Sequence, residues 1–97
     1  MHRYVIERAV PGIHTLDAEG LCAGARRSNE ALAELGPDIQ WLESFVVADR
    51  TFCVYLARDE DVIRLHAERS GFPATKIHRV ERIIDPTTAT APAGVGC

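Results

Sequence analysis

Apolar positions recur along this chain with two different periods, and the switches between them mark its elements. Residues 2–10, HRYVIERAV, set Tyr4 and Ile6 against Val5 and Ala9, the alternation of a strand, and Pro11-Gly12 ends it. From Asp17 the period lengthens. Leu21, Ala25, Ala31, Leu32 and Leu35 fall at helical spacing, Asp17 suits the N-cap with Glu19 in the first turn, and Gly36-Pro37 stops the helix. Gly20 and Gly24 weaken this helix by roughly 1 kcal/mol each relative to Ala, and they permit close packing on the sheet. Alternation returns in IQWLESFVV, residues 39–47, and in TFCVYLA, residues 51–57, with Ala48-Asp49-Arg50 as the tight connection of a hairpin. Asp59 caps a second helix through DEDVIRLHAERS, which Gly71 and Pro73 close. KIHRVERII, residues 76–84, reads as the last strand. The remainder, DPTTATAPAGVGC, is small and rich in Pro and Gly. It predicts one domain over residues 1–88 and a flexible tail over 89–97.

The order β-α-β-β-α-β closes as an α+β, ferredoxin-like fold: a four-stranded antiparallel sheet with two helices on one face and no forbidden crossing. Helices then cover one face only, and the other should alternate polar. It does not. The second strand sets Ile39, Trp41, Phe45 and Val47 on one side and Leu42 and Val46 on the other. The third sets Phe52, Val54 and Leu56 against Cys53, Tyr55 and Ala57. Strands apolar on both faces ask for burial on both. With no third layer in the chain, a second copy is the simplest cover, so a homodimer is predicted.

Composition narrows the function classes. Apolar residues make up 46% and charged residues 26%, the ordinary globular range, over 97 residues. A net charge of −3 supplies no basic field for a nucleic-acid backbone. No apolar run approaches the roughly 20 residues of a membrane helix, so no membrane partner is predicted. The cysteines are Cys22, Cys53 and Cys97, an odd number with no C-x-x-C pair. That pattern disfavours a disulfide scaffold and a cysteine zinc site, and it suits a reducing cytoplasm. Nucleotide-binding glycine loops and the G-x-S-x-G elbow are absent.

What remains is histidine. The stripe Val62, Ile63, His66, Ala67 and Ser70 is one helix face, so His66 should look at the sheet and need a partner, with Tyr55, Glu43 or a backbone carbonyl as candidates. The threading carries His14, after the first strand, His66, late in the second helix, and His78, opening the last strand, to one end of the sheet. His2 goes to the other end. Glu7 and Glu68 can reach the first end. Imidazole with carboxylate and water suits nickel, zinc or copper, so His66, His78, His14, Glu7 and Glu68 are the candidate metal ligands. No spacing signature such as H-E-x-x-H supports the set, and a dimer can complete a site by lending ligands across its interface.

Several stretches carry a resemblance: RYVIER, SNEALAELGPDIQW, TFCVYLA, IRLHAERSGFPATKI and IIDPTTA. Together they resemble a family of small bacterial nickel-binding proteins with a streptomycete member. The likeness spans roughly residues 2–89, and its most specific piece is His66–Ile77, HAERSGFPATKI. It implies a ferredoxin-like homodimer that binds nickel, or another divalent transition metal, at or near its surface, with a part in nickel sequestration or tolerance. Of the candidate ligands only His66 lies in a matching motif. Gly20 and the tail beyond Ala89 depart from the pattern.

A nickel-binding protein without catalysis is therefore the first reading. The second is a small-molecule binder or small enzyme, with His66 as general acid/base in a sheet–helix pocket walled by Trp41, Phe45, Tyr55 or Phe72. A third is an interaction module.

Overall fold

The computed structural model describes residues 1–90. Four strands and two helices follow one another in the expected order: β1 (His2–Ala9), α1 (Ala18–Leu35), β2 (Ile39–Val47), β3 (Arg50–Ala57), α2 (Glu60–Ser70) and β4 (Lys76–Arg79). The sheet runs β2-β3-β1-β4, all neighbours antiparallel. This is the ferredoxin-like βαββαβ arrangement, with both helices on one face.

The helix ends follow from local chemistry. Asp17 accepts the Gly20 N–H at 2.8 Å and Asp59 accepts the Val62 N–H at 3.0 Å, each filling one donor that the first helical turn leaves free. Gly71 ends α2 at φ 79°, a left-handed conformation that glycine adopts without strain. The β2–β3 connection places Ala48 at φ 49°, in the left-handed region that favours glycine.

Tyr4 and Ile6 of β1, Ile39 of β2, Cys53, Tyr55 and Ala57 of β3 and Val62 and Ile63 of α2 form the core between sheet and helices. Burying a side chain of this size contributes about 1.5–3 kcal/mol, and Ile6 and Ile63 are wholly buried.

Two expectations are corrected. The last strand, predicted over residues 76–84, pairs only through Arg79, followed by one further bond from the Val80 N–H to the Arg3 carbonyl. The reason is its partner's length. Arg79 already lies opposite Tyr4, which puts Glu81 opposite His2, where β1 begins, so the residues after Glu81 have no strand to meet. Ile83 and Ile84 are consequently 67% and 78% exposed. A short 3-10 turn, Pro86–Ala89, follows, capped by Asp85. The part of the predicted tail from residue 91 lies outside the described residues.

The second correction concerns β2. A register shift between Trp41 and Glu43 makes Leu42 the extra residue of a bulge. Alternation is reversed past it. Ile39 and Trp41 face the helices, and so do Ser44 and Val46 beyond the bulge, while Phe45 and Val47 turn to the open face. The expected grouping of Trp41 with Phe45 and Val47 is therefore wrong. A bond of 2.9 Å from the Trp41 indole N–H to Ser44 Oγ spans the bulge.

Candidate functional site

Each face of the sheet presents chemistry, and the candidate ligands are divided between them. Odd-numbered residues of β1 face away from the helices. Val5 lies opposite His78 and Val54, and Glu7 lies opposite Lys76 and Phe52. His78 and Glu7 are thus diagonal neighbours on the open face, among Val5, Phe52, Val54 and Leu56. His78 is exposed. Glu7 is held by Arg50 at 3.5 Å, with 15% of its side chain exposed.

His66 lies on the opposite face, 1% exposed beneath the helices. Its Nε2 is 3.2 Å from Ser28 Oγ and 3.4 Å from the Ser28 carbonyl on α1, and its ring is tilted against Tyr55 with centroids 5.5 Å apart. Of the expected partners, a backbone carbonyl is present, that of Ser28, and Tyr55 packs against the ring, whereas Glu43 takes no part; the Ser28 hydroxyl was not expected. Burial pushes the His66 pKa below its ordinary value. The positive charge of Arg8 pushes the same way, and the Ser28 carbonyl opposes them. The ring is therefore neutral near pH 7, and its Nδ1 has no protein partner.

His14 stands apart from both, in the short 3-10 turn Ile13–Thr15. Its Nδ1 lies 2.9 Å from the Ala48 carbonyl and 3.3 Å from Asp49 Oδ1, which ties the segment after β1 to the β2–β3 turn. A ring whose Nδ1–H donates to that carbonyl leaves Nε2 with a lone pair in solvent. Glu68 is exposed on α2.

The expected gathering of His14, His66 and His78 at one rim does not occur within a chain. The topology does carry the three toward one end, but height along the sheet is not position. His78 shares the face of Val5, and His66 lies on the other side of the sheet. Among the described residues no three His, Cys, Asp or Glu side chains are placed to hold one metal ion.

Between the sheet and α1 there is a cavity of about 350 Å³. Trp41, Tyr55 and Phe72 line it as expected, but Phe45 does not, because the bulge sends it to the open face, and His66 is not part of the wall. The polar groups in the wall are Arg8, Ser28, Ser44, Thr51 and Tyr55, with Arg27 at α1. Gly24 of α1 admits Phe72 rather than the sheet: a Cβ there would sit 3.4 Å from the Phe72 ring. Burial raises the Tyr55 pKa, and the Arg8 charge and its hydrogen bonds only partly offset this.

Arg8 and Ser28 are the residues that pattern reading passed over. Arg8 is in phase with Tyr4 and Ile6, and a charged residue on the buried phase of a strand is itself a signal. Ser28 carried no such mark, because its partner His66 is 38 residues away.

A family model described as "Nickel responsive protein SCO4226-like" matches residues 4–80. The chain belongs to this family. A solved structure of SCO4226 from Streptomyces coelicolor A3(2) superimposes with a TM-score of 0.66 at 19% identity, covering 84% of this chain and 99% of that one. At that identity the likeness bears on the fold alone. Comparison with curated proteins gives no match. No helix among the described residues of this SCO4226-like protein is long and apolar enough to cross a membrane.

Proposed function

We propose that this SCO4226-like protein binds nickel at an interface between two copies of the chain, in a cytoplasmic role of sequestration or tolerance. The observation that carries the reading is the open face of the sheet. Val5, Phe52, Val54 and Leu56 form an apolar centre there, with Phe45 and Val47 exposed beside it by 52% and 48%. An unpartnered apolar surface of this kind favours association, and a twofold axis through it brings each residue near its own copy. The exposed pair Ile83 and Ile84 lies past the end of the sheet, where it can extend the contact.

His78 and Glu7 share this face. One chain offers two donors, one imidazole and one carboxylate, and two chains offer four. Such a nitrogen and oxygen set binds nickel and copper more tightly than the earlier divalent metals of the row. The family's description as nickel responsive supports nickel among these. His78 is the principal ligand, and Glu7 contributes its carboxylate on release from Arg50. His66 acts as a packing residue, because its ring is enclosed and its Nε2 is engaged by Ser28. His14 and Glu68 lie off the shared face and take no part.

Calorimetric titration of the metal-free protein with Ni²⁺, run beside sedimentation, tests this. The expected result is a dimer that binds one nickel per two chains and loses binding in His78→Ala. Equal nickel affinity in His78→Ala, or a monomer that binds nickel as well as the dimer, would remove the proposal.

A further inference from the structure

Arg8 is a buried cation without an anion. β1 carries it under the helices in phase with Tyr4 and Ile6, and 3% of it is exposed. Nη1 donates to the carbonyls of Phe72 and Pro73 at 3.2 and 3.0 Å. Nη2 has no partner, and none of the ion pairs among the described residues involves this guanidinium. The Tyr55 ring, 5.8 Å from it, supplies only a weak electrostatic contact. An unpaired charge removed from water is strongly unfavourable, and an arginine fork is suited to a planar carboxylate.

Arg8 forms part of the wall of the 350 Å³ cavity, whose other wall residues are mostly apolar, among them Ile13, Leu21, Trp41 and Phe72. The volume is at the small end of the range for ligand pockets of roughly 300–1,000 Å³, which are apolar with a few placed polar groups. We propose that this cavity binds a small monocarboxylate with an apolar body, its carboxylate drawn to the Arg8 side chain and its hydrocarbon along Leu21, Trp41 and Phe72. The class follows from the charge. A single buried cation balances a single negative charge, so a dianionic phosphate monoester would leave one charge buried and unmatched. Arg27 marks the mouth, stacked over the Phe72 ring at 5.0 Å. The site lies on the helix side of the sheet, away from His78 and Glu7, so it stands or falls separately from the nickel reading.

Trp41 is the chain's single tryptophan and part of the wall, so its emission reports on the cavity. Octanoate, 1-octanol and octyl phosphate are titrated into the full chain with EDTA present, followed by calorimetry and fluorescence. Octanoate should saturate at one molecule per chain with a change in Trp41 emission. The alcohol should bind about ten-fold more weakly or worse, since it lacks the charge-assisted bond. Arg8→Gln should bring octanoate down to the level of the alcohol. Ala25→Leu, which fills the cavity and leaves Arg8 in place, should weaken octanoate about ten-fold or more. It also keeps the question decidable should Arg8→Gln fail to fold. Absence of saturable octanoate binding, 1-octanol binding as tightly, octyl phosphate binding more tightly, or unchanged octanoate affinity in either folded variant would overturn the assignment.

Discussion

His66 Nε2 lies 3.2 Å from Ser28 Oγ, so the two helices are joined by a buried polar contact. The contact holds a neutral imidazole. In the unfolded chain that imidazole takes up a proton near its ordinary value of 6.5, and in the folded chain only at lower pH. Between those two values the unfolded state binds more protons, so stability falls as pH drops below about 6.5. The shifted carboxyls, Asp59 and Asp85, titrate below their ordinary 3.8 and act only at more acid pH. Urea melts from pH 7 to 4.5 should show this decline, and His66→Gln should flatten it. A decline unchanged in His66→Gln would assign the effect elsewhere.

Ser28→Ala removes the hydroxyl from this pair and leaves the ring with only the longer contact to the Ser28 carbonyl. A loss of about 1–2 kcal/mol is expected in denaturant unfolding, the cost of a buried polar group deprived of its partner.

The strain at Ala48 offers a change in the other direction. A non-glycine residue at φ 49° carries a cost of roughly 1–2 kcal/mol, and glycine removes it while loosening the unfolded chain. Ala48→Gly should therefore stabilise the protein by a few tenths to about 1 kcal/mol, read as a higher urea midpoint at constant slope.

The bulge at Leu42 separates length from side chain. Leu42 is 44% exposed, so Leu42→Ala should cost within about 0.5–1 kcal/mol. Deleting the residue restores strict alternation and leaves the faces as they are, with Ser44 and Val46 under the helices and Phe45 and Val47 on the open face. Both variants should therefore keep a cooperative thermal melt, and loss of cooperativity on deletion would contradict the placing of the extra residue at Leu42.

These two β2 outcomes bear on what pattern alone reveals. The strands, both caps and the sheet order were legible, because alternation, Asp17, Asp59, Gly36 and Gly71 are local signals that agree with one another. The bulge was not, since an inserted residue leaves the composition of IQWLESFVV unchanged and shows itself only in register against β3. The end of β4 was hidden for a similar reason: it depends on where β1 begins. The candidate site was legible only in part. Topology carries His14, His66 and His78 toward one end, but the face of His78 follows from pairing with Val5, and Arg8 gains its meaning only from a cavity lined by α1 and three strands.

Association through the open face is open to a single substitution. Phe45 is half exposed there, so Phe45→Glu should leave the fold intact by circular dichroism while shifting sedimentation to the monomer. Nickel affinity should fall with it, because the two halves of the site part company.

Diffraction at the nickel absorption edge, from crystals grown with Ni²⁺, tests the shared site most directly. The account predicts an anomalous peak between the open faces of two chains, with His78 from each within bonding distance. A peak confined to one chain, beside His14 and Asp49 or anywhere on the helix side, would contradict it.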